Sequence, residues 1–186
     1  AKAAGGIPAR LTAREERLVT FEAATRHHLL VFAQQAADRI QRLQGVAVGQ
    51  AAGDAPILIR ASIGPGVRTE FRPPAPNVPY SIVGFSGDGA PLGALLNEVA
   101  GSAAAAVRQE LVVGVIRGKG PREIARNISK VSRSARNRSL LIARTEALRA
   151  YRTTSLSAFN ENASVVKGWT WQATYDDRTC AVCWAM

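Results

Sequence analysis

Cys180 and Cys183, spaced C-x-x-C, are the side chains of this sequence best suited to ligate a metal or exchange electrons. A structural zinc site takes four ligands, and the chain offers only these two thiols with His27 and His28. Neighbouring histidines on a helix diverge by about 100°, so they do not readily complete such a site. Zinc at Cys180 and Cys183 therefore requires a further ligand beyond Met186, and the simpler reading is two reduced thiols packed against the nearby tryptophans. A redox pair would follow a βαβ pattern, which is absent from the sequence before it. Gly118-Lys119-Gly120 lacks the length and the Lys-Ser/Thr ending of a phosphate loop. Neither histidine has a local Ser, Cys or Asp in a nucleophile pattern, so no catalytic residue is assigned and neither enzymatic activity nor a cofactor is expected.

Charge carries more information. The 186 residues have a net charge of +10, and residues 108–152 hold twelve Lys and Arg against three Asp and Glu. Such an excess favours an acidic partner, either nucleic acid or an acidic protein surface. Arg122, Arg126, Lys130, Arg133, Arg136 and Arg138, with Arg117 and Lys119 before them, form a candidate face for non-specific contact with nucleic-acid phosphates. No aromatic residues interleave with them, which argues against base stacking. A short helix over Arg122–Val131, a polar link over Ser132–Ser139 and a helix over Leu140–Asn160 loosely suggest helix-turn-helix, although the link is long for that motif.

These residues need elements to position them. Thr12 followed by Glu15 is a capping-box pattern, and Leu18, Phe21, Leu29, Phe32, Ala36, Ile40 and Leu43 recur at helical steps. A long helix over Leu11–Gln44 is expected, ended by Gly45 and Gly49. From there to Pro91 the many Gly and Pro residues suggest irregular structure with one or two short strands, such as Ile57–Ile63. A helix follows from Pro91 to Gly118, and Pro121 suits the first turn of the next one. Val165–Ala173 reads as a strand-like run, closed by Asp176-Asp177 and the cysteines into a small β-hairpin. Steps of three and four from Leu140 reach Arg144, Leu148, Tyr151, Ser155 and Phe159, which places Arg144 on the core-facing stripe. A buried guanidinium needs a partner, and the turn at Asp176 and Asp177 is the expected one, the alternative being that Arg144 reaches solvent along its aliphatic stem.

The fold class is thus mainly α: a long N-terminal helix, an irregular middle and a C-terminal α+β part with a hairpin. Residues 1–90 and 91–186 separate as two parts. The apolar runs break before the 18 or so residues that a membrane crossing takes, so no membrane partner is expected. No charged n-region followed by an apolar stretch opens the chain, so export is not expected either, and the start at Ala1 reads as that of an excerpt.

Ile142-Ala143-Arg144-Thr145-Glu146, the helix through Tyr151 and Ser155, Gly168-Trp169-Thr170-Trp171, then Asp177-Arg178-Thr179-Cys180 and Cys183 follow one another in an order and spacing that resembles the phage Mu F-like head morphogenesis family. Gly120-Pro121-Arg122-Glu123-Ile124-Ala125 fits the short helix of those domains, and the resemblance runs over about Leu92–Met186. It marks Arg144, Glu146, Trp169, Asp177, Cys180 and Cys183 as a structural family motif. Members usually continue past the second cysteine with a His-Gly segment, where this sequence has Trp184-Ala185-Met186. The resemblance implies a minor capsid protein bound to the portal inside the head of a tailed phage. It implies a structural part in head assembly and in DNA packaging or ejection. The partners would be the portal protein, capsid or scaffolding proteins, and packaged double-stranded DNA. The location would be the virion interior, and the host cytoplasm during assembly. The alternative is a basic nucleic-acid-binding regulatory protein.

Overall fold

The computed structural model describes residues 9–63, 66, 68, 70–168 and 170. Four helices occur among them: α1 (Ala9–Ser62), α2 (Val78–Ile82), α3 (Leu92–Ile116) and α4 (Pro121–Glu161). The three long ones pack together, with α1 against both α3 and α4 and α3 against α4.

The first helix does not stop at Gly45. Its buried residues Ala33, Ala37, Ile40, Gln44, Val48, Ala51, Ala55 and Ile59 continue at steps of three and four through the segment expected to be irregular. Positions repeat every eleven residues, as in Ala33, Gln44 and Ala55, or Ala37, Val48 and Ile59. Eleven residues make about three turns, so one face stays inward along the helix. Gly45, Gly49 and Gly53 lie off this stripe with open space around them. An interior glycine costs about 1 kcal/mol and a proline such as Pro56 about 3 kcal/mol. The buried face against two other helices offsets those local penalties, and Ile57–Ser62 is helix rather than strand.

The fourth helix corrects a second expectation. Pro121–Glu161 is one helix of 41 residues, and the polar Ser132–Ser139 segment is part of it. There is no turn at that point, so the helix-turn-helix reading falls. The α3–α4 connection follows the sequence more closely. Gly118 has φ +65, Lys119 N–H donates to Gly114 O at 2.8 Å and Gly118 N–H to Val115 O at 3.2 Å. This Schellman ending explains Gly118-Lys119-Gly120 as a helix stop, after which Pro121 opens α4.

The expected α+β character is also overturned. Among the described residues there is no β-strand, only an isolated bridge between Phe85 and Pro91. After α4 the chain forms a turn at Asn162–Val165 and continues without a strand partner among the described residues. The expected hairpin from Trp169 to Cys183 otherwise lies outside the described residues.

α3 is long and apolar enough to cross a membrane by length and composition, contrary to the expectation that every apolar run would be too short. Core helices share those properties. Leu92, Leu96 and Ala100 of α3 pack on Ala33, Ala37 and Ile40 of α1, with Ile142 and Ala143 of α4 at the edge. A second cluster joins Val48, Ile82 and Ala150. The Tyr151 hydroxyl donates to Asp54 at 2.9 Å across α1 and α4, and that bond to a carboxylate raises the phenol pKa above its ordinary value. Asn162 closes α4 by donating to Arg72 O at 2.8 Å and accepting from Arg72 N–H at 2.9 Å, which straps the chain before α2 onto the helix end.

Thr154 is fully buried, and its hydroxyl is the one buried side-chain polar atom among the described residues that lacks a hydrogen-bond partner. Replacing it with a similar apolar shape removes that desolvation cost. Thr154→Val is therefore expected to raise stability by about 1 kcal/mol, read as a higher urea midpoint at unchanged slope. A lowered midpoint would show that the hydroxyl is satisfied in solution.

Candidate functional site

Two arrangements on α4 stand out, one facing inward and one outward. The inward one is built on Glu146, which is only 6% exposed, and holds the loop between α2 and α3. Its Oε1 accepts from Gly87 N–H at 3.2 Å, and its Oε2 accepts from Arg149 Nε at 2.7 Å. Arg149 Nη2 in turn donates to Phe85 O at 2.6 Å. From the opposite side, the fully buried Gln44 of α1 donates to Phe85 O and accepts from Gly84 N–H, both at 2.9 Å. Gly84 and Gly89 have φ of +89 and +84, so the loop uses two left-handed turns to bring its amides round. Within the loop, Asp88 accepts from the Ser86 hydroxyl and from Ala90 N–H. These bonds, the Ser86 one foremost, hold its carboxyl below the usual range.

Both carboxylate oxygens of Glu146 are engaged in fastening this loop. The group acts as a latch between α4 and the loop. Gln44 and Arg149 were not anticipated from the sequence. The signal for Gln44 was present, since it is the single polar residue in the eleven-residue repeat of α1.

The outward arrangement is cationic. Helical geometry puts Arg122, Arg126, Lys130, Arg133 and Arg144 within about 80° of arc along about 33 Å of α4. All five are exposed. Between Glu123 and Glu146 the helix carries no carboxylate, and Glu123 is paired with Lys119 at 3.0 Å. The structure divides the remaining two expected phosphate-binding residues. Arg136 turns towards α1, beside Phe32 and Leu43, whereas Arg138 turns towards α3, beside Val99 and Ala106. One continuous helix thus gathers four of the six expected cations on a single face and adds Arg144 to them.

Arg144 does not face the core. It is exposed, as are Leu140 and Leu148 on the stripe expected to be inward. The buried stripe is Ser139, Glu146, Ala150, Thr154 and Ala158. Small and polar residues take the core positions because α4 lies close against α1 and must also satisfy the loop amides. The expected partner turn at Asp176 and Asp177 lies outside the described residues, as do Trp169, Cys180 and Cys183. His27 and His28 are exposed on α1, and no group of three or more metal-ligating side chains occurs among the described residues.

Residues 105–186 match the family model described as Phage Mu protein F like protein. The match begins within α3 and takes in all of α4, including both the latch carboxylate and the cationic face. The likeness is thus to a family of phage head proteins, over somewhat less than half of the chain. The matched segment is similar to the phage Mu F-like family anticipated from the motifs after Ile142. No curated protein and no solved structure matches the chain.

Proposed function

We propose that the chain is a non-catalytic minor head protein held at the portal vertex on the inner side of the capsid, where the outer face of α4 lies against packaged double-stranded DNA. The observation that carries the reading is the coincidence of two features. The segment matching the Mu F-like family is the same segment whose exposed face holds Arg122, Arg126, Lys130, Arg133 and Arg144 without a carboxylate among them. Cations spaced along a helix suit phosphates, and the lack of aromatic platforms suits contact without base reading. Portal binding, contact with capsid or scaffolding proteins, and a cytoplasmic stage during assembly belong to the same proposal.

The test is DNA affinity as a function of salt. Replacing Arg122, Arg126, Lys130 and Arg133 by Gln is expected to weaken binding about equally for duplexes of unrelated sequence. The slope of log affinity against log salt should flatten by up to about 0.9 for each phosphate that is no longer neutralised. An unchanged slope would remove the DNA contact from the proposal. A marked preference for one duplex sequence would favour a regulatory protein instead. Entry of the same variant into portal-containing particles is expected to persist, since these four side chains are assigned to DNA and not to the portal.

A further inference from the structure

On the flank of α4 away from α3, an open groove of about 300 Å³ runs between α1 and α4. Ala36, Ile40 and Ala143 form its floor. Phe32, Leu43 and Leu140 form its walls and are 41%, 49% and 53% exposed. Large apolar side chains at such exposure, aligned along two helices, mark a surface made to be covered. The wall and floor positions on α1 span residues 32–43, about 17 Å or three turns. That length fits a helix laid along the groove with anchors at i, i+3, i+4 and i+7.

The rims define the chemistry of the occupant. Arg39 stands on the α1 side and Arg136 on the α4 side, and neither is in an ion pair among the described residues. Arg133 and Arg144 lie one to two turns from Arg136 along the same helix. Asp38 is two residues before Ile40, about 200° around α1, and its carboxylate accepts from Gln34 at 3.1 Å. The groove is therefore apolar at the bottom and cationic at both edges, with no carboxylate lining it. We infer that it is the docking site for an amphipathic helix of a partner protein, whose apolar stripe is flanked by Asp and Glu. A phosphate backbone would gain nothing from the apolar floor. A second copy placed across a two-fold axis would set Arg39 and Arg136 against the same cations. The docking site rests on the groove itself and does not depend on the family assignment.

The experiment uses the full chain and fluorescence anisotropy with a labelled synthetic helix of three heptads, leucines on one stripe and glutamates beside it. Two controls accompany it: the same composition scrambled to break the stripe, and a version with lysine in place of glutamate. The acidic amphipathic peptide is expected to bind at least about tenfold tighter than either control, as for a surface with a central apolar anchor and complementary charge. Leu140→Asp, at an exposed position, should reduce that binding about tenfold with unchanged thermal unfolding. The pair Arg39→Glu and Arg136→Glu together should reverse the preference in favour of the lysine peptide. Equal binding of the scrambled peptide, or no binding, overturns the inference. Displacement of the peptide by duplex DNA that persists when Arg122, Arg126, Lys130 and Arg133 are replaced by Gln would assign the groove to nucleic acid instead. Self-association that Leu140→Asp abolishes would assign it to a second copy. Particle incorporation is read separately, so failure here leaves the head-protein reading standing.

Discussion

Removing residues 1–45 is expected to abolish folding of everything that follows, including the Mu F-like segment. The deletion takes Ala33, Ala37 and Ile40 away from Leu92, Leu96 and Ala100, the larger of the two buried clusters. Burying a leucine side chain contributes about 1.5–3 kcal/mol, so re-exposing Leu92 and Leu96 alone costs about 3–6 kcal/mol. Loss of Gln44 also strands Gly84 N–H, at a further 1–3 kcal/mol or so. A domain of this kind has only about 5–15 kcal/mol in total. The shortened chain should therefore show no cooperative unfolding transition and little amide dispersion by NMR. The control is Val19→Ser, at an exposed position of the same helix, which should shift the midpoint by no more than about 0.5 kcal/mol. A cooperative transition in the shortened chain would show that α3 and α4 form a sufficient core without α1.

Glu146→Ala should be the most destabilising single substitution on the helix that carries the family match. It removes the acceptor of Gly87 N–H and the partner of Arg149, whose side chain is 25% exposed and stays close to the loop. Taking one member from a buried, hydrogen-bonded ion pair leaves an uncompensated group, and the expected cost is about 2–4 kcal/mol. Because Arg149 still reaches Phe85 O and Gln44 still holds Gly84, the loop should loosen rather than detach. Faster hydrogen exchange at Gly87 is the specific sign, with a lowered urea midpoint as the global one. Glu146→Gln retains one acceptor and should fall between wild type and Ala. Leu148→Ala, on the exposed face of the same helix, should stay within about 0.5 kcal/mol. If Glu146→Ala unfolds at the wild-type midpoint, Gln44 and Arg149 hold the loop without the carboxylate.

Several features were legible in the amino-acid sequence because their causes are local. The glycine stop at Gly118 and the helix start at Pro121 rest on backbone conformations that particular residues favour wherever they occur. The concentration of positive charge between residues 108 and 152 is a property of composition. The order of motifs from Ile142 onward carried the family, which the match over residues 105–186 supports. Tertiary structure decided the rest. Gly45, Gly49, Gly53 and Pro56 argue locally for an ending, but a penalty of about 1 kcal/mol per glycine is smaller than the gain from a continuous buried stripe against two helices. The polar Ser132–Ser139 segment became helix for a related reason, since Ser139 lies on the inward face and Arg133 and Arg136 keep their charges at the surface. Which face of α4 turns inward was the hardest point to read. Hydrophobicity favoured Leu140 and Leu148, yet the structure buries Glu146 and Thr154 instead. The deciding partners are the amide of Gly87 and the guanidinium of Arg149, together with the close approach of α1. The Gly87 amide is 59 residues from Glu146 along the chain. A hydrogen bond over that separation leaves no periodic trace in sequence, and it is what places Arg144 outside, with the cations that face the solvent.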